Sequence, residues 1–200
     1  MAVDAAQITT SAEATARTLE ARFPSAGAVF VVGEHGLETR LRESGFEVIT
    51  DPEDHRSVIA VVAGFDRGFT YQKLQAAATQ IRTGAAFYGT NPDPTYPTPE
   101  GLVPGAGPII AAIAAAAEKT PTIIGKPSPL MFEVAAERIG VAKQDILVVG
   151  DRLETDIAGG QSWGVRTALV LSGVATVDQA WAWRPKPDIV AADLTELVGA

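Results

Sequence analysis

Between residues 122 and 157 the chain reads TIIGKPSP, then a helical run through MFEVAAERIG, then DILVVGDRLETDI. Two short apolar runs of β type, Thr122–Ile124 and Ile146–Val149, each end in a glycine followed at once by a charged residue. Those charges are Lys126 and Asp151, with Asp156 one loop further on. Strands alternating with helices predict a parallel α/β sheet. In an open sheet of that kind ligands sit in the crevice outside the carboxyl ends of the strands. The pattern therefore places one ammonium and two carboxylates at one rim. That combination suits phosphate together with Mg²⁺, because the ammonium neutralises phosphate while carboxylate oxygens hold a hard cation.

The same alternation runs along the rest of the chain. Thr10 and Glu13 have capping-box spacing, and Ala12, Ala16, Leu19 and Phe23 then share a helical face that should end before Pro24. Strands are expected at Ala28–Val32, Glu47–Ile49, Ser57–Ala63 and Ala85–Tyr88, with helices around Leu37 and Leu41 and from Thr70 to Gly84. Asn91 to Gly105 carries five prolines, a density that excludes helix and central strand and predicts an ordered loop. An alanine-rich helix is expected from about Ala106 to Glu118. After Lys126 come a helix at 128–139, a strand at 145–150, a helix from about Thr155 and a strand at Thr167–Leu171. A helix at 177–183, a strand at Asp188–Ala191 and a short terminal helix complete the series.

Composition removes several classes of function. A net charge of −8 argues against nucleic acid or an anionic membrane as partner, since both reward clustered Lys and Arg. The absence of cysteine excludes thiol chemistry, disulfides and Cys-type zinc sites, and it fits a cytoplasmic setting. No cationic and apolar leader is visible at the start, and the longest apolar run, Ile109 to Ala117, is too short to cross a bilayer. An apolar content of 46% over 200 residues is enough for a real core in one or two domains.

GKPSP followed about two dozen residues later by GDRLETDI resembles the third and fourth motifs of the haloacid dehalogenase (HAD) superfamily of hydrolases. The branch it is most similar to is the p-nitrophenyl phosphatase, or NagD-like, group. ITTSAEATARTL, VVGEHGLETRLRESGF, YGTNPDPTYPTPEGLVPGAG and GDRLETDIAGGQSWGVRTALVLSGV follow in that group's own order, so the resemblance spans essentially the whole chain. It implies a HAD-like Rossmannoid parallel sheet with a large α/β cap. Residues 1–22 would be a core helix leading into the cap, 23–121 the cap and 122–200 the returning half of the core. The family's first strand, which bears Asp-x-Asp, and its Ser/Thr motif have no counterpart here. The chain starts MAVDAAQ, with Asp4 a lone carboxylate and Ala6 where a second acid would stand. The core sheet is therefore expected to be incomplete, with the N-terminal strands absent and one strand left with an open edge.

The resemblance also assigns roles. Lys126 would contact the phosphate and the nucleophilic carboxylate, Asp151 would ligate Mg²⁺, and Asp156 would support the metal directly or through water. Asn91 and Asp93 would lie on a cap loop and contact substrate. Each has a plainer reading. Lys126 could be an exposed lysine at a helix start, although a helix N-terminus disfavours a cation unless an anion is present. Asp151 could fix a turn, Asp156 could be a first-turn carboxylate behind a Thr155 N-cap, and Asn91 and Asp93 could simply set a turn. Arg152, Glu154, His35 and His55 read as surface residues. VVGEHG lacks the full dinucleotide fingerprint. Trp163, Trp181 and Trp183 read as packing residues.

The function implied is Mg²⁺-dependent hydrolysis of a small phosphorylated metabolite through an aspartyl-phosphate, with no nucleic-acid or membrane partner and with a homodimer left open. Without the nucleophile motif these 200 residues are expected to be inactive alone. The alternatives are a non-catalytic relative that binds a phospho-ligand or a protein partner, and one half of a split enzyme.

Overall fold

Thr10 and Thr70 accept backbone N–H groups from Glu13 (3.1 Å) and Lys73 (3.2 Å), which starts helices α1 (Ser11–Arg22) and α3 (Tyr71–Arg82) where the sequence predicts them. The computed structural model describes Asp4 and residues 7–199, so Ala6 and most of the opening segment lie outside the described residues. It divides into two units. Residues 9–125 form one, and residues from 126 onward, with the described part of the first eight, form the other.

The unit of residues 9–125 is built on five parallel strands in the order β2-β1-β3-β4-β7. These are β1 (Ala28–Val32), β2 (Glu47–Ile49), β3 (Ala60–Ala63), β4 (Ala86–Gly89) and β7 (Thr122–Ile123). The inner strands are nearly continuous apolar runs because both faces are covered. Helix α3 packs on β1, on β3 and on α4 (Ala106–Ala117), while α1 packs on α2 (His35–Glu43). Phe30, Val61, Ile81, Phe87, Ile110 and Ile113 fill the shared core. Each large side chain so buried contributes about 1.5–3 kcal/mol.

Three expectations are corrected here. The strand expected to open the C-terminal half, at 122–124, belongs instead to this sheet: Thr122 and Ile123 pair with Tyr88 and Gly89. Gly89 makes that docking possible, since a Cβ there would lie 2.7 Å from Ile123 Cδ1 and 2.9 Å from Ile110 Cδ1. Helix α1, expected within 1–22 as a core helix leading into the cap, groups with this unit, held by Glu13, which ion-pairs with Arg40 of α2 and, at 2.8 Å, with Arg17. Finally, the proline-rich loop contains an antiparallel hairpin, β5 (Thr95–Thr98) with β6 (Gly101–Pro104). A free two-stranded ribbon has two edges, so Pro97 and Pro104 can sit in it without breaking a ladder on both sides.

The second unit carries a three-stranded parallel sheet in the order β10-β9-β8, formed by β8 (Leu147–Gly150), β9 (Arg166–Val170) and β10 (Ile189–Ala191). Helix α5 (Pro129–Ile139) packs on α6 (Ala158–Trp163), which packs on β9. Helices α7 (Val177–Ala182) and α8 (Leu194–Val198) complete it. Leu153, Ile157, Leu169, Ala175 and Ala180 form its buried cluster. Where a helix is expected from about Thr155, a π-type turn over Leu153–Ile157 precedes α6, so Thr155 is inside a wide turn and caps nothing. No described helix is long and apolar enough to cross a membrane.

Candidate functional site

Ser128 caps α5 by accepting the N–H of Leu130 (3.4 Å), with Pro129 in the first turn. Lys126 therefore stands just ahead of a helix N-terminus. Across from it, β8 ends at Gly150 and the chain enters the wide turn through Asp151 and Arg152. Asp156 is carried by that turn. Its Oδ1 accepts a hydrogen bond from Lys126 Nζ at 2.7 Å, and its Oδ2 accepts the Arg152 backbone N–H at 3.2 Å. Asp156 is buried while Lys126 is half-exposed, so one face of the ammonium remains open to an incoming anion. Gly150 is required by this arrangement: a Cβ there would fall 2.2 Å from Asp156 Cβ.

Asp151 is held from a different side. Its Oδ2 accepts the Val174 N–H at 3.0 Å, its backbone carbonyl accepts the Ala175 N–H at 3.0 Å, and a Cβ on Gly173 would lie 2.2 Å from Oδ2. Its Oδ1 has no hydrogen-bond partner among the described residues. The structure thus brings Lys126 and Asp156 into direct contact, while Asp151 is not ion-paired with Lys126 among the described residues. Gly150 and Arg152, the neighbours of Asp151 in the chain, both touch Asp156. Sequence reasoning missed the 173–175 loop that orients Asp151. The signal was present in Gly173 of VLSGV, three residues past the end of β9.

Asn91 and Asp93 lie in the other unit. Thr90 Oγ1 donates to Asn91 Oδ1 (3.1 Å), Asn91 Nδ2 donates to Asp93 Oδ2, and the Asp93 carbonyl accepts the Gly107 N–H (2.9 Å). These bonds fasten the start of the proline-rich segment to the start of α4. His35, His55, Arg152 and Glu154 are exposed, as expected of surface residues. Trp163 stacks on Phe132 at 6.1 Å, and Trp183 donates to Gln161 at 3.1 Å. Trp181 is exposed beneath Lys186.

The family model described as "HAD-hyrolase-like" matches residues 123–197, the stretch that holds Lys126, Asp151 and Asp156. The acid sugar phosphatase of Staphylococcus aureus is 36% identical over 192 residues, covering 96% of this chain and 72% of the relative. The chain belongs to the HAD superfamily of hydrolases. Rat chronophin is 38% identical over 185 residues, 90% of this chain, and the chain spans 60% of chronophin's length. The solved p-nitrophenyl phosphatase of Archaeoglobus fulgidus superposes with a TM-score of 0.88 at 32% identity, over 100% of this chain and 76% of that one. The resemblance to the p-nitrophenyl phosphatase branch, a parallel α/β architecture included, therefore holds.

The donor set fits the Mg²⁺ that this family implies. Two carboxylates on one turn supply the oxygen ligands a hard cation takes, and Asp151 Oδ1 is uncommitted. Mg²⁺ is usually held by one or two carboxylates, with water and substrate phosphate completing the shell. No group of three or more His, Cys, Asp or Glu side chains that could hold a metal by themselves occurs among the described residues, so such a site would be shared with substrate and solvent.

Proposed function

We propose that the chain is the phosphate- and metal-binding portion of a Mg²⁺-dependent phosphomonoester hydrolase that acts on a small phosphorylated metabolite in the cytoplasm. The observation that carries this reading is the Lys126–Asp156 contact of 2.7 Å inside the segment that matches the family model. A buried carboxylate that orients a half-exposed ammonium is costly to maintain unless the ammonium has work to do. Here Lys126 would neutralise phosphate charge. Asp156 fixes its direction, and the Arg152 N–H keeps the carboxylate in place. Asp151, oriented by the Val174 N–H, and Asp156 would hold the metal, which supplies charge neutralisation at the phosphoryl oxygens. The N-terminus of α5 adds a positive partial charge behind Lys126.

No Asp-x-Asp pair occurs among the 200 residues, so the nucleophilic carboxylate is taken to come from outside them. Titration of ¹⁵N-labelled chain with inorganic phosphate, with and without MgCl₂, tests the reading. Saturable shifts at Lys126, 150–152 and Asp156 are expected, strengthened by MgCl₂ and lost in Lys126→Met and Asp151→Asn. No saturable shift at millimolar phosphate, or shifts that ignore both substitutions, would refute it.

A further inference from the structure

In the unit that follows residue 125, three apolar side chains near Asp151 in the chain stay largely uncovered. Val174 keeps 57% of its surface exposed, Val177 51% and Trp181 65%. Single exposed apolar residues are ordinary, but a close-set run of them marks a surface that meets something. This run starts at the site itself, since the Val174 N–H is the donor that holds Asp151 Oδ2 at 3.0 Å.

Local structure fixes the line these residues make. Ala175 is buried with Leu153 and Ile157 of the wide turn, and its N–H donates to the Asp151 carbonyl at 3.0 Å, so the backbone at 174–175 is anchored at the site. Thr176 then starts α7 through a reciprocal cap. Its hydroxyl accepts the Gln179 N–H (3.3 Å), and its own N–H donates to Gln179 Oε1 (2.8 Å). Val177 and Trp181, four residues apart, share one face of that helix, while Ala180 turns inward and is buried. The axial rise between them is about 6 Å. Lys186 Nζ sits 4.5 Å from the Trp181 ring centroid, a cation–π contact that steadies the indole.

We propose that Val174, Val177 and Trp181 form a subsite for the alcohol portion of a phosphate ester, suited to phosphomonoesters whose alcohol is an uncharged apolar chain. The inference rests on the phosphate reading of the Lys126–Asp156 site. With the phosphate at Lys126, the ester's chain leaves past Val174 and lies along α7 to Trp181. Covering that apolar surface gives an affinity that grows with chain length, by up to about fourfold for each methylene fully buried. On an open face each methylene is only partly covered, so the gain per carbon is smaller.

Methyl-, butyl- and octylphosphonate, whose C–P bond does not hydrolyse, test this on the whole chain with MgCl₂ by ¹⁵N–¹H shift mapping. All three should give saturable shifts at Lys126 and 150–152. Octylphosphonate should bind about tenfold or more tighter than methylphosphonate and should also shift 174–182 and the Trp181 indole. Trp181→Gln and Val177→Ser, both at exposed positions, should cut the octyl–methyl ratio severalfold and leave methylphosphonate binding unchanged. Equal affinity along the series, or a chain-length gain that survives both substitutions, would overturn the subsite and leave the phosphate reading standing. Equal affinity together with a dimer that Trp181→Gln dissolves in sedimentation would assign this face to a second copy of the chain instead. If none of the three binds, the phosphate reading fails and the subsite with it. The series on the unaltered chain decides even if a variant fails to fold.

Discussion

Ala60–Ala63 reads AVVA and Leu147–Gly150 reads LVVG, two four-residue apolar strands that composition barely separates. In β3 all four residues are buried, whereas in β8 only Val148 is, and Val149 keeps 38% of its surface exposed. The difference lies in their neighbours. β3 sits between β1 and β4, while β8 pairs with β9 alone among the described residues. An apolar run reports that a strand can be covered on both faces; the sheet around it decides whether it is. The unit that carries Lys126 and Asp156 is thus the less covered one, and the unit of residues 9–125 has the more complete sheet.

The largest expected effect concerns activity. The 200-residue chain by itself should show no Mg²⁺-dependent turnover of p-nitrophenyl phosphate above buffer, since loss of an essential nucleophile costs on the order of six powers of ten in other hydrolases. Sustained turnover by pure protein, abolished by Asp151→Ala, would show that the reactive unit is complete as it stands. Next come paired truncations. Ile113→Ala, at a site with no exposure, should cost about 2–5 kcal/mol in urea unfolding. Val149→Ala should cost under about 1 kcal/mol, because its side chain is already partly in water. Equal costs would remove the contrast between the two sheets.

A smaller effect is expected at the site. Lys126→Met removes a charge-assisted bond to Asp156 and should destabilise the chain by about 1–2 kcal/mol, the lower part of the usual range because Lys126 is half-exposed. A stabilised variant would mean that the pair is not what holds the wide turn. The smallest effect lies on the surface of the 9–125 unit. The Arg56 side chain beside Asp54 lowers the Asp54 carboxyl from 3.8 to about 2. A depressed carboxyl contributes stability above its ordinary value and loses it as pH falls through about 2. The Tm difference between the chain and Asp54→Asn, slight for so exposed a pair, should therefore be present at pH 5 and close by pH 2. A difference that grows on acidification would contradict this.

Much of this was legible in the residues. Thr10 and Thr70 announce their helices through short polar side chains ahead of an apolar stripe, and Leu37 and Leu41 are buried as their spacing requires. Lys126 and Asp151 each follow a glycine that ends an apolar run, and Asp156, which meets Lys126, lies in the next turn, so the shared rim was legible. What sequence did not reveal depends on partners distant in the chain. Thr122 and Ile123 look like any short strand, and only the space over Gly89 assigns them to the five-stranded sheet. The wide turn at 153–157 has no compositional mark, since Thr155 and Asp156 are equally at home in a first helical turn. The hairpin at 95–104 hides behind prolines that a ribbon with two free edges tolerates.

The comparison turns on β8 being a half-covered edge while β1, β3 and β4 are inner strands, and amide hydrogen exchange measures that directly. Openings of poorly covered elements cost less than global unfolding. The account predicts that amides of Val29–Val32, Val61–Ala63 and Phe87–Tyr88 exchange only through global unfolding of their unit, and that the β8 amides exchange orders of magnitude faster. Uniformly slow exchange across residues 126–199, matching that of β1 and β3, would contradict it.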